Sequence, residues 1–434
     1  MSSPRRCVVP IPHVTVVPQA FVGVASSSGG VLELVALVAK SLVAALVAAY
    51  VAVALKRKAS EDFLPRIFQP ASTRMAALLA ATPALHGPMR PPFLLHTSAV
   101  QLVFNLLKQR LDRKAEFERE LICLRDGGEI AIDWHVPNET KKKKNHKLPA
   151  DAPIVAVMHT LTGTSDDFAS FAHAAHARGF RVAVLLRRGH LGSPLKTGRF
   201  NLLGSCADLE IHLERVTKRF PLAKVFGHAE SAGTGLAVRY AGEKNTQCLF
   251  HAMVCVCPGY DTTEGGAFSR FEPFLDAHLL RSVKASFLRG ANEDVFSSTE
   301  TSTADVLSSP RSSDAHPCYS DLLATETMAD FLRLSYKMQG KDSLRADHDN
   351  ANPMGTVLTV ATATVVINAH DDPVCAPSNV NDNMYCFHGD VPRALVRTRV
   401  RTHCCFYEGK WVKPESSWAH EAALDFFQAV QNEK

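Results

Sequence analysis

The sequence predicts an α/β fold with a mostly parallel central sheet, preceded by one long apolar helix. Two observations predict it. From Ile154 onward, short apolar runs alternate with stretches of helical spacing. Strands that alternate with helices make a parallel sheet covered on both faces. Ahead of them, Val31 to Leu55 is almost wholly apolar, with Glu33 and Lys40 its only charges, and Lys56-Arg57-Lys58 comes next.

Taken in order, residues 1–30 contain Pro, Ser and Gly and read as a disordered N-terminus. Residues 31–58 read as a membrane-anchor helix. Ser41 to Leu55 alone would span about 22 Å, short of a bilayer core of about 30 Å. Starting at Leu34 it is long enough, with Lys40 snorkelling to one interface. The late start and the basic triplet, in place of a small-residue cleavage site, do not fit a cleaved signal peptide. The triplet favours a cytosolic position for the domain on its C-terminal side, with Arg5 and Arg6 as the counterweight on the other side. The expectation is a single-pass N-terminal anchor, and an amphipathic or buried helix is the alternative.

Residues 59–116 read as a helical linker broken by Pro65, Pro70, Pro83 and the Pro88 to Pro92 cluster, which places the α/β domain at 117–434. Leu121–Arg125 and Glu129–Val136, joined through Asp126-Gly127-Gly128, read as a β-hairpin. Lys141 to Lys144 reads as a solvated loop. Strands are expected at Ile154–Met158, Phe180–Leu186, Ala223–Ala229 and Leu249–Cys257. Between them lie helices at Asp166–Arg178, Cys206–Phe220 (Leu209, Leu213 and Val216 on one face) and Gly233–Gly242. Residues 258–350 break the rhythm as a partly helical insertion expected to form a lid, with a Ser/Thr-rich loop from Ser297 to Ser313. Strands resume at Thr359–Asn368 and Ala394–Thr402, and Ser417–Val430 closes the chain as an amphipathic helix. There are no internal repeats.

Composition narrows the function. A net charge of +5 over 434 residues, without clustered Lys/Arg beside stacking aromatics, gives no support for nucleic-acid binding. The eleven cysteines form no CxxC pair and no Cys/His set with zinc spacing. Neither a metal nor a disulfide framework is expected, and reduced thiols in a cytosol-facing domain are the simplest account.

Three residues stand after strands in contexts suited to catalysis. Ser231 lies in Ala229-Glu230-Ser231-Ala232-Gly233, between a strand and a helix, the setting of a nucleophile elbow. Ala229 and Gly233 are small where the turn brings backbones together. The Ala232 N–H, at the helix N-terminus, is one candidate oxyanion donor. The Leu161 N–H, in the loop His159-Thr160-Leu161-Thr162-Gly163, is the other, with His159 expected to be structural. Asp372 precedes Pro373 at a strand end, with Asp371 as its rival. His403 comes after the last strand, and His370, His388 and His420 are competitors expected at the surface. Nucleophile, acid and base in that order is the order of α/β-hydrolases.

Several stretches together resemble the YheT-like (AB hydrolase 4) family of α/β-hydrolase-fold proteins, which includes membrane-anchored eukaryotic lipases. Arg187 to Pro194 is similar to its Arg-Arg-Gly-His-x-Gly-Ser segment, and Arg239-Tyr240-Ala241-Gly242-Glu243 to the end of its elbow helix. Asn368 to Pro373 is similar to its Asn-Ala-x-Asp-Asp-Pro, His403 to Gly409 to its His-x-Gly-Phe-x-Glu-Gly, and Ser417-Trp418-Ala419 to its tail. The likeness runs from about Phe93 to Val430. It implies a Ser231, Asp372, His403 triad and hydrolysis of monoacylglycerol, phospholipid or short- to medium-chain esters, with acyl transfer to alcohols in some members. The chain departs from the family at Ala229 and Thr160, each in place of Gly, and at Cys404-Cys405. The expectation is a serine hydrolase for a lipid or small ester, using no cofactor and no metal and needing no obligate protein partner. An acyltransferase and a catalytically silent membrane-tethered scaffold are the alternatives.

Overall fold

A computed structural model describes residues 29–60, 63–68, 71–111, 115–137, 148–190, 193–197, 201–263, 265–289, 292–293, 295, 319–337, 351–399, 401–410 and 416–433. Of the disorder expected over residues 1–30, residues 1–28 lie outside the described residues and Gly29 and Gly30 instead open a helix; the loop at Lys141–Lys144, the Ser297–Ser313 loop, Leu191 and Gly192 also lie outside the described residues. The chain divides into two compact units, one ending at Ala59 and one beginning at Ser60. The first contains helix α1 (Gly29–Ser60). Its segment Ala36–Lys56 has 21 residues and a mean hydropathy of 2.2. At 1.5 Å per residue that is about 31 Å, long and apolar enough to cross a bilayer.

The second unit is built on strands whose side chains alternate between two helical layers. Its strands are β1 (Arg66–Phe68), the hairpin β2 (Glu116–Cys123) and β3 (Glu129–Val136), β4 (Ile154–Met158), β5 (Arg181–Leu186), β6 (Val225–Glu230), β7 (Ala252–Val256), β8 (Ala363–Ala369) and β9 (Arg393–Thr398). They form one sheet in the order β1-β9-β8-β7-β6-β4-β5-β3-β2. The six strands β4 to β9 are parallel. β1 pairs antiparallel with β9, and β3 with β5, so the antiparallel pairs sit at the two edges.

The pleat sorts the core. Val155 and Val157 of β4 face one layer with Val182, Val254, Val365 and Val396. Helix α2 (Thr73–Ala80) covers that layer with Met75, Leu78 and Leu79, α4 (Ala169–Ala177) with Phe171 and Ala175, and the closing helix α11 (Trp418–Gln431) with Trp418, Phe426 and Phe427. Ile154 and Ala156 face the other layer, under Leu209, Leu213 and Val216 of α5 (Cys206–Arg219) and Leu236, Ala237 and Tyr240 of α6 (Ala232–Lys244). The described part of the insertion contributes α7 (Pro273–Phe287), α8 (Tyr319–Ala324) and α9 (Met328–Lys337). Leu280, Phe287, Met328 and Phe331 build a third cluster with Leu161 and Leu203. Helices α3 (Ser98–Leu111) and α10 (Pro377–Asp382) complete the set, with a small ribbon of β10 (Tyr407–Glu408) and β11 (Ser416–Ser417).

The structure moves the expected start of this domain. Residues 59–116 are more than a helical linker ahead of a domain at 117. Met75, Leu78 and Leu79 are at most 4% exposed in the main core, and Arg66–Phe68 is a strand of the sheet. Only a three-residue run carries that strand, too short to show a period of two. The hairpin likewise begins at Glu116, because polar residues reach the end of its first strand.

Candidate active site

The strand order places the site. β4 lies between β5 and β6, so the loops after β4 and β6 leave adjacent strand ends, where open α/β sheets hold their ligands. β6 ends in the fully buried Ala229 and the buried Glu230. Ser231 then takes φ +49° and ψ −118°, sparsely populated values for a residue with a Cβ. Its N–H is tied to Val256 O at 2.9 Å, and α6 starts at the next residue. Gly233 is required here, since a Cβ on it would lie 2.3 Å from Met158 O at the end of β4.

β8 delivers the acid. Asp372 is 2% exposed, and its Oδ1 accepts the N–H groups of Val374 and Cys375, each at 2.8 Å. His403 occupies the tight turn closed by the Thr402–Cys405 bridge, with Cys404 at φ +55°. His403 Nδ1 lies 2.9 Å from Asp372 Oδ2 and 3.1 Å from Oδ1, and its Nε2 lies 2.7 Å from Ser231 Oγ. The three residues that sequence spacing set apart therefore meet in one line. Burial alone would lower the His403 pKa, but the Asp372 charge and hydrogen bond overcome it and push it up to about 10. Burial likewise acts to raise the Asp372 pKa, and His403 outweighs it to hold Asp372 below its ordinary value.

The rivals go elsewhere. Asp371 accepts the Arg401 N–H at 2.5 Å, and burial pushes its pKa up to about 6. His370 and His388 are exposed. His420 corrects the expectation of a surface residue: its side chain is 16% exposed, and its Nε2 lies 2.9 Å from Glu230 Oε1. The first turn of α11 packs against the end of β6, which a helical period cannot reveal.

The loop after β4 carries Leu161, expected as the second donor. His159 is fully buried, with Nδ1 2.8 Å from Thr160 O, and Arg187 Nη2 donates to the same carbonyl at 2.7 Å. In a planar trans peptide the carbonyl and the next N–H point to opposite sides. Pinning the Thr160 carbonyl to one side therefore turns the Leu161 N–H to the other. Ala232 is the first residue of α6, where N–H groups lack intrahelical partners. Leu161, Ala232, Ser231 and His403 line one cavity of about 460 Å³.

Sequence reasoning missed the groups around this line. His228, Glu230 and His420 bring ligand atoms within 4.8 Å of one another, as do Cys257, His403 and Cys404. Each set is one that could hold a metal ion, and both are engaged in internal hydrogen bonds. The one available signal was a carboxylate directly before the elbow serine.

Known proteins are similar to this chain in sequence. The family model Hydrolase_4, described as serine aminopeptidase, S33, matches residues 150–385, which include Ser231 and Asp372 and stop short of His403. Protein ABHD15 of Homo sapiens is 24% identical over 318 residues, covering 73% of this chain and 63% of its own length. Phospholipase ABHD3 of Bos taurus is 28% identical over 149 residues, 34% of this chain and 36% of its own. Medium-chain fatty acid ethyl ester synthase/esterase 2 of Saccharomyces cerevisiae is 24% identical over 289 residues, 64% of this chain and 62% of its own. The chain spans less than two thirds of the length of each of these relatives.

Proposed function

The chain belongs to the Hydrolase_4 (serine aminopeptidase, S33) family of α/β-hydrolases, and from that premise we propose a membrane-anchored serine hydrolase that cleaves carboxylic esters of lipids through an acyl-enzyme. The observation that carries the reading is the line Asp372–His403–Ser231, with contacts of 2.9 and 2.7 Å. Ser231 Oγ attacks the ester carbonyl carbon while His403 Nε2 takes its proton, and Asp372 holds the imidazole tautomer and stabilises the charged ring. The carbonyl oxygen becomes an oxyanion, received by the N–H groups of Leu161 and Ala232, a contribution of about 3–4 kcal/mol per donor. His403 then hands its proton to the departing alcohol. A water molecule, deprotonated by the same imidazole, releases the acid and restores Ser231.

Three features support a lipid ester. Leu161, Leu203, Phe268, Phe271 and Leu279 give the cavity an apolar wall for an acyl chain. Helix α1 is suited to hold the enzyme at a bilayer as a single-pass anchor. Relatives are named as a phospholipase and as an ethyl ester synthase/esterase. The second of these names also favours acyl transfer, in which an alcohol takes the place of water at the same residues.

A fluorophosphonate probe tests the reading. Wild type is expected to label, while Ser231→Ala and His403→Ala lose labelling and ester hydrolysis together. A folded wild type that does not label would sink it. Product analysis with and without ethanol or glycerol separates hydrolysis from transfer.

A further inference from the structure

One wall of the cavity carries a fixed negative charge next to the nucleophile. Glu230 is 7% exposed and lines the cavity immediately before Ser231. Its Oε1 lies 3.0 Å from His228 Nε2 and 2.9 Å from His420 Nε2, while Oε2 takes part in neither bond. The Phe171 ring stacks on His228 with centroids 4.5 Å apart and meets His420 edge-on at 5.0 Å, so both imidazoles are held in place. Burial acts to raise the Glu230 pKa, and the two histidine hydrogen bonds overcome it and bring it to about 2. Burial lowers the pKa of His228 itself, so that ring is neutral at pH 7 and does not cancel the charge.

Asp166, Asp167, Ser170, Ser417 and Glu421 also line the cavity, and Glu421 is paired with Arg178. Burial raises the Asp167 pKa, with the Glu230 charge adding to the effect. Among the described residues the cavity lining includes one arginine, no lysine and the imidazoles of His403 and His420; His403, protonated at rest, has to be neutral to act as the base and then adds no positive charge. The arginine, Arg239, donates to the carbonyls of Leu203 and Gly204, and Leu203 belongs to the apolar wall. The cavity thus pairs an apolar side with a side that accepts hydrogen bonds and repels anions.

We propose that Glu230 selects the head group of the ester: its carboxylate accepts hydrogen bonds from an uncharged, hydroxyl-bearing alcohol portion, as in an acylglycerol, and rejects a phosphate monoester on the same alcohol. A carboxylate held by two imidazoles cannot rotate away, and a second negative charge in a partly desolvated cavity is weakly screened. The polyol hydroxyls, by contrast, supply donors to an acceptor already in place. The proposal rests on the Ser231 hydrolase reading.

The test uses the full chain in detergent micelles with three substrates of one acyl length: 1-decanoylglycerol, its 3-phosphate and the neutral dimethyl phosphotriester of that phosphate. The expected kcat/KM for the acylglycerol exceeds that for the phosphate at least tenfold. The triester is expected to recover most of the difference, because it keeps the bulk and removes the charge. Glu230→Gln is expected to bring the first two substrates within about threefold. Equal rates on the acylglycerol and the phosphate in wild type would overturn the proposal, as would a triester rejected as strongly as the phosphate. Should Glu230→Gln fail to fold, the wild-type comparison of the three substrates decides alone. Fluorophosphonate labelling of the same wild-type samples keeps the two readings apart. Labelled protein without the preference removes the head-group proposal only, whereas unlabelled protein removes the hydrolase reading itself.

Discussion

At the scale of single residues, the resting state of His403 sets the pH behaviour. Its pKa is pushed up to about 10 beside Asp372, yet only the neutral imidazole can take the Ser231 proton. Hydrolysis of a small water-soluble ester is therefore expected to climb with pH from 6 to 9, by up to tenfold per unit. A flat profile over that range would show that His403 is already neutral at pH 6, against the raised pKa. Stability runs the other way. The folded pKa of His403 lies above its ordinary 6.5, so the ion pair stabilises fully below about 6.5 and fades as pH rises toward 10. Asp372 is held below its ordinary 3.8, so the same pair also fades on acidification below that value. The line of Ser231, His403 and Asp372 was legible in the sequence because each member comes after a buried apolar run, which fixes where a strand must end. The clamp on Glu230 was not. Its partners come from β6 and from the first turn of α11, and no local pattern records that those two elements touch.

At the scale of elements, close approach of α6 to β4 sets the angle of the elbow. Gly233→Ala would place a methyl 2.3 Å from Met158 O and 2.8 Å from His159 O, both backbone atoms that cannot rotate aside. Overpacking of this kind costs about 1–3 kcal/mol, which for a unit this large lowers Tm by roughly 1–4 °C. Thermal unfolding monitored by circular dichroism would measure it, and an unchanged Tm would mean that the helix can shift freely. Elements buried on both faces were the ones read from sequence most closely. β4 is found at Ile154–Met158, as expected, and β5, β6 and β8 lie within three residues of their expected starts or ends, apart from Thr359–Thr362 ahead of β8. β1 escaped notice because Arg66, Ile67 and Phe68 carry the burial pattern of an edge, with only the middle residue partly covered. In the hairpin's first strand Glu116, Glu118 and Arg119 are exposed, a charged rim that also discourages edge-to-edge pairing.

At the scale of the whole molecule, the boundary between the two units falls at Ser60. A chain beginning at Ser60 is expected to leave the membrane fraction and remain a folded, labelled hydrolase. One beginning at Ala71 lacks β1 and uncovers the backbone of β9, and it is expected to melt several degrees lower and to self-associate on size exclusion. Equal melting and elution for the two would show that β1 adds nothing to the sheet. The register Arg66↔Arg397 also has a consequence in time. At about 5–20 residues per second, the partner strand leaves the ribosome on the order of half a minute after β1 does. For that interval the first strand of the sheet exists without the surface it was made to cover, so the last step of folding waits on the last part of the chain to be synthesised.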